Sequence, residues 1–185
     1  MKTFATKSKS AVLATAFLAA LGVAFCLNGV AAGSGSPTSG SISATYVKKE
    51  AAPVGDPQMG HVVMLTMSKG KNANTSGGDF LDGMELVNAE IADLDRGNGP
   101  HQGYVTFSNG ADSAVAKWQG KVTTTLNPDK TPNSTFSGEW AYVSGSGKYA
   151  GLKGAGTYSG RITSEQTYEV NWKGSYSLGG TAAAN

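Results

Sequence analysis

The sequence predicts an all-β protein: a single antiparallel, up-and-down barrel of about eight strands preceded by a signal peptide. Three observations carry this. Apolar and polar residues alternate through successive runs, as half-buried strands require. Clusters of Gly, Pro, Asn and Asp separate the runs. Glycine is abundant, 26 of 185 residues, and recurs inside the runs as well as between them. Interior glycines mark bulges, corners and close backbone approach, and a sheet closing on itself uses all three.

The first residues set the compartment. Lys2, Lys7 and Lys9 precede an apolar stretch from Ala11 to Val30, and Val30-Ala31-Ala32 supplies the small residues of a cleavage site. Residues 1–32 are therefore expected to be a signal peptide, 33–40 (GSGSPTSG) a flexible linker, 41–180 the barrel domain and 181–185 a disordered tail. A retained transmembrane anchor is the alternative, and the small-residue exit into glycine and serine favours cleavage. Phe25 disfavours lipid attachment at Cys26. The expected location is periplasmic or secreted.

Cys26 is the only cysteine and lies in the leader, so the mature fold is expected to have no disulfide and no thiolate chemistry. The 15 basic residues include the three leader lysines, leaving 12 against 13 acidic ones and a net charge of −1. With no basic stripe, neither nucleic acid nor, after cleavage, a membrane is an expected partner. The 153 residues after Ala32 suit one domain. The oligomeric state is left open.

Ser41 to Lys48 reads as the first strand, ended by the proline-containing run Ala51 to Pro57. His61 to Met67, almost continuously apolar, reads as a strand covered on both faces or central in a closed sheet. Ser68 to Asp79 is polar and reads as a loop. Met84 to Asp95 alternates, with Met84, Leu86, Asn88, Glu90, Ala92 and Leu94 on one face; a helical stripe is the weaker fit. RGNGPHQG is expected as a turn leading into Tyr104 to Ser108, and Asn109-Gly110 as a hairpin. In Ser113 to Leu126, Ala114, Ala116, Trp118, Val122 and Leu126 share a face. After the turn NPDKTPN, the strand Ser134 to Ser144 puts Phe136, Trp140 and Tyr142 on one parity and Glu139 on the other. The glycine-rich stretch Trp140 to Gly160 is a bend between strands. Gly154 to Thr163 and Thr167 to Leu178 complete the set, the latter with Tyr168, Val170, Trp172, Tyr176 and Leu178 aligned.

The segment Gly145-Ser-Gly-Lys-Tyr-Ala-Gly-Leu-Lys-Gly-Ala-Gly-Thr-Tyr, with Trp140 ahead of it, resembles the signature of small exported bacterial proteins built as allene-oxide-cyclase-like barrels, relatives of dirigent and calycin-type barrels. GHVVMLTMSKG and GPHQGYVTF add to the resemblance. It implies the barrel and admits a cofactor-independent isomerase or cyclase. No catalytic position of the plant cyclase maps onto this chain.

The residues themselves offer limited chemistry. Gly145 to Ala150 fits G-x-G-x-x-A, but Gly151, Gly154 and Gly156 deny the helix that a dinucleotide site needs. Asp93-Leu-Asp-Arg-Gly-Asn-Gly begins like a calcium loop and has Tyr104 where the bidentate glutamate belongs, so it reads as a polar turn. Hydrolase and zinc motifs do not occur. No metal and no cofactor is expected. His61 and His101 are the only imidazoles. His101, Glu90 and Glu139 are the candidate acid–base groups if a barrel interior or mouth brings them together; the spacing does not require it, and a solvated turn histidine with outward glutamates is the favoured alternative. Trp118, Trp140, Tyr142, Tyr158 and Trp172 are the candidate ligand-binding residues, since aromatic rings wall apolar pockets as well as filling cores. The leading functional expectation is an exported barrel binding a small hydrophobic or aromatic molecule. The alternatives are the isomerase or cyclase and a structural or extracellular interaction protein.

Overall fold

The structure, a computed structural model, describes residues 35–179. The expected signal peptide and tail lie outside the described residues. Eight strands follow in order: β1 (Ser36–Pro53), β2 (His61–Asn74), β3 (Glu85–Asp95), β4 (Gly99–Ser108), β5 (Ser113–Leu126), β6 (Pro132–Ser146), β7 (Lys153–Ile162) and β8 (Thr167–Ser177). Each pairs antiparallel with the next, and β8 returns to β1, closing an up-and-down barrel.

Alternation determines what is inside. Asn88, Glu90 and Ala92 of β3, Ala114, Ala116, Trp118 and Val122 of β5, and Tyr168, Val170 and Trp172 of β8 all face inward. Glycines make room for the rings between them. A Cβ on Gly40 would lie 2.5 Å from the Trp172 indole, and one on Gly103 would lie 2.7 Å from that of Trp118. Closure leaves no free edge, and small inward residues opposite large ones fit the rings into a narrow interior.

Two β-bulges adjust the walls. One falls between Tyr46 and Lys48, and the other interrupts the pairing of β5 with β6 at Val115/Ala116. The first matters for the interior: the extra residue, Val47, resets the alternation, so that Tyr46 and Lys49 both line the cavity.

Several boundaries differ from the sequence expectation. Ser36 to Gly40, expected in the linker, belong to β1, where Ser36 pairs with Tyr176 and Gly40 with Trp172. Ladder pairing on both sides overrides the low strand propensity of Ser and Gly. Ser68 to Asn74, expected as loop, extend β2, because Ser68 and Asn72 point into the barrel and find partners there. His61 to Met67 is not covered on both faces, since Val63, Leu65 and Met67 point outward and are 38%, 43% and 38% exposed. β4 begins at Gly99, which places His101 in a strand and not in a turn.

The two ends of the barrel differ. The connection from β2 to β3 folds over one end as a plug, burying Phe80, Leu81 and Met84. Phe80 stacks on Tyr176 with ring centroids 3.5 Å apart and meets Tyr149 edge-on at 5.6 Å. Leu81 takes a left-handed conformation (φ 56°), held by a hydrogen bond from its N–H to the Tyr149 hydroxyl (2.9 Å) and one from Asn72 Nδ2 to its carbonyl (2.8 Å). Tyr149 comes from the glycine-rich bend, where Gly147–Tyr149 form a single 3-10 turn. The bend thus contributes to the plug through Tyr149. At the other end, the β1–β2, β3–β4, β5–β6 and β7–β8 connections surround a mouth.

Candidate functional site

Between plug and mouth lies a cavity of about 170 Å³. That is close to the ~150 Å³ that admits a single benzene ring in an apolar protein interior. Trp140 and Trp172 form its floor, crossing edge to face at 5.8 Å. Trp118, Phe136, Tyr158 and Tyr168 line its sides, and the exposed Lys49 and Ile162 stand where it meets solvent.

All five aromatic residues expected from the sequence to bind a ligand, Trp118, Trp140, Tyr142, Tyr158 and Trp172, line this space. Their roles differ. The three indole N–H groups already donate within the protein: Trp118 to Asn88 Oδ1 (2.9 Å), Trp140 to the Thr157 carbonyl (3.2 Å) and Trp172 to Asn72 Oδ1 (2.8 Å). The tryptophans therefore offer ring surface and no free donor. Tyr142 lies nearest the plug, within ring contact of Phe80 at 6.1 Å and Trp140 at 4.9 Å.

Of the three acid–base candidates, the structure brings two together. Glu90 of β3 and His101 of β4 face inward, and His101 Nδ1 lies 2.9 Å from Glu90 Oε1. Both are sequestered, with side chains 4% (His101) and 14% (Glu90) exposed. Thr66 of β2 donates its hydroxyl to Glu90 Oε2 at 3.1 Å. From the opposite wall, Tyr158 of β7 reaches across the interior to His101 Nε2, 3.0 Å away. Its path runs over Gly120 and Gly138, where an added Cβ would lie 2.5 Å and 2.6 Å from the Tyr158 hydroxyl. These two glycines are what allow a tyrosine to span the barrel.

Glu139 does not join them. It sits on the outer face of β6, exposed, paired across the ladder with Gln119 and Thr157. Strand parity explains this: Trp140 and Gly138 point inward, so the residue between them must point out. His61 is also on the outside, 2.5 Å from Asp93 Oδ1. Asp95 is the last residue of β3, and its N–H donates to the Asn98 carbonyl across the turn to β4.

Sequence reasoning did not place Thr66 or Tyr46 in the site. Thr66 sits in an apolar run whose inward parity was hidden by outward Val63, Leu65 and Met67. Tyr46 is carried beside Lys49 by the bulge, and the lysine Nζ lies 4.2 Å from its ring centroid. Lys49 also donates to the Glu165 carbonyl at the rim. Burial raises the pKa of Tyr46, Tyr158 and Tyr168, and the charge of Glu90 raises each further; Tyr168 is pushed up to about 12 even though Ser68 and Asn88 hydrogen-bond to it and oppose the shift. The phenols facing the cavity are thus neutral donors and acceptors over the physiological range.

The arrangement can hold one small ring-bearing molecule out of water and meet it with a single polar cluster. It can also pass a proton along Tyr158, His101 and Glu90. Compared with known proteins, the chain matches no family model and no curated sequence.

Proposed function

We propose that the protein binds one small hydrophobic or aromatic molecule inside its barrel, as a protein exported to the periplasm or the medium. The observation that supports this most is the aromatic-walled cavity that reaches solvent at one end while the other is plugged. Burying a single ring removes on the order of 100 Å² or more of apolar surface from water, about 2–3 kcal/mol in transfer free energy, before any polar contact is made. The test is native mass spectrometry of protein purified from its host, together with titration of a hydrophobic fluorescent probe. A retained small molecule, or saturable one-to-one probe binding that it displaces, is the expected result. A bare chain that binds no probe removes the reading.

The chain Glu90, His101, Tyr158 favours a second reading, a cofactor-independent isomerase or cyclase of the allene-oxide-cyclase type. Such an enzyme works by holding a reactive molecule in one conformation, with proton transfer adding about 10²- to 10⁴-fold. Tyr158 would take a proton from bound substrate as it passes its own to His101 Nε2, Glu90 would stabilise the imidazolium, and the reverse transfer would return the proton to another atom of the substrate. Under this reading His101→Ala and Glu90→Gln abolish turnover of a bound substrate while it remains bound. Unchanged turnover in both variants would leave binding alone.

A further inference from the structure

With Glu90 a carboxylate and His101 a neutral imidazole, the hydrogen atoms in the polar cluster run in one direction. A carboxylate accepts and never donates, so Thr66 must turn its hydroxyl hydrogen to Glu90 Oε2, and His101 must carry a hydrogen on Nδ1 for Oε1. In the neutral ring Nε2 is then an acceptor, and the Tyr158 hydroxyl hydrogen points at it. What the cluster turns toward the cavity is therefore acceptors: the remaining lone pairs of Glu90 and those of the Tyr158 oxygen. Tyr46, whose hydroxyl has no hydrogen-bond partner among the described residues, adds another group able to accept. Lys49, at the rim, is tied to the Glu165 carbonyl.

We propose that the cavity selects a molecule carrying an aromatic ring and an ammonium group, the ring lying on the tryptophan floor and the ammonium meeting Glu90 and the Tyr158 oxygen. This rests on the barrel interior being a ligand site. Three features single out an ammonium among donors. It presents several hydrogens to several acceptors; it compensates the one carboxylate in the cavity wall; and it is attracted to the faces of the surrounding rings. The lining already holds one such contact, the Lys49 ammonium over Tyr46 at 4.2 Å. The raised pKa values of Tyr46, Tyr158 and Tyr168 agree, since each reports the negative field of Glu90 in addition to burial. A cavity of about 170 Å³ limits the molecule to one ring with a short arm.

The test is calorimetric titration of the purified protein at neutral pH with four compounds of similar shape: 2-phenylethylamine, 2-phenylethanol, propylbenzene and phenylacetate. The amine is expected to bind at least tenfold more tightly than the alcohol or the hydrocarbon, with phenylacetate weakest. In Glu90→Gln the preference for the amine disappears while propylbenzene binds as before. If the alcohol or hydrocarbon binds as tightly as the amine, or phenylacetate binds best, the ammonium assignment is wrong although the interior is still a ligand site. If none of the four binds, both readings fall. The wild-type series decides the matter even if the variant does not fold.

Discussion

Asn72 and Glu90 sit on neighbouring strands toward opposite ends of the barrel interior, and each makes two side-chain hydrogen bonds. Asn72 uses its donor on the Leu81 carbonyl and its acceptor on the Trp172 indole, and only 1% of it is exposed. It ties plug to floor. Glu90 uses its two oxygens on His101 and Thr66, yet its side chain keeps 14% exposure where the cavity lies. An inward-facing polar side chain therefore serves either of two purposes. Where apolar groups close around a polar side chain, its hydrogen bonds fix a conformation; where a cavity remains, they orient what is left over toward a guest.

The largest way to break the plugged end is Trp172→Ala. The residue is 7% exposed, bounds the floor and donates its indole N–H to Asn72 Oδ1. The loss is expected to be about 3–5 kcal/mol in denaturant unfolding, with the buried Asn72 oxygen left unpaired. A loss below about 1 kcal/mol would mean the ring is not part of the core.

Alkali should separate the ends next. Tyr46, Tyr142, Tyr158 and Tyr168 have raised pKa values, first through burial. The folded state holds these protons more tightly than the unfolded chain, so the stability they contribute is complete below pH 10 and is lost as pH rises. For Tyr168, moved from 10.0 to about 12, the loss spans that interval and amounts to about 3 kcal/mol. Unfolding midpoints measured from pH 9 to 12 should fall accordingly. In Glu90→Gln the phenolate absorbance of the mouth tyrosines should rise at lower pH than in wild type. Tyr142 should not follow, since its secondary causes are Tyr149 and Tyr176 and not Glu90.

Much of this comparison was legible in the sequence and some was not, for identifiable reasons. Alternation grouped the residues of β3, β5, β6 and β8 into two faces, putting Trp118, Trp140 and Trp172 each on the aromatic-rich one, but did not say which face points inward, which is why Glu139 and Trp140, on opposite faces of β6, were both site candidates. The plug was hidden because SKGKNANTSGGD looks like solvent-exposed loop. The signal that could have revealed it is the apolar trio Phe80, Leu81 and Met84 directly after it, too many apolar residues for a free turn. His101 was misplaced because Gly99 and Pro100 look like a turn, although proline is tolerated at the start of a strand. The meeting of Tyr158 with His101 depends on register around the whole barrel and on two small residues, Gly120 and Gly138, whose significance appears only once their neighbours are known.

The same substitution at the two ends gives a matched pair. Tyr149→Phe removes the acceptor for the Leu81 N–H in a fully buried turn, and is expected to cost about 1–3 kcal/mol. Tyr158→Phe leaves His101 Nε2 facing a cavity that water can enter, and should cost less than about 1 kcal/mol. Thermal or denaturant unfolding of both variants measures the difference. Equal costs would show that the mouth is as tightly closed as the plug.

The smallest effect is expected outside the barrel wall, at Glu139. Its carboxylate is exposed and lies between the side chains of Gln119 and Thr157 on the outer ladder face, separated from the cavity by the sheet itself. Glu139→Gln changes the charge but not the shape of a solvated side chain, so stability should move by less than about 0.5 kcal/mol. Ligand affinity should be unchanged, whereas Glu90→Gln, the identical chemical change three strands away on the inner face, should alter it at least tenfold for an ammonium ligand. Parallel probe titrations and melting curves of the two variants check this. A Glu139→Gln variant that lost binding as Glu90→Gln does would mean that β6 presents its other face to the interior, and the parity that places Trp140 on the cavity floor would have to be reversed.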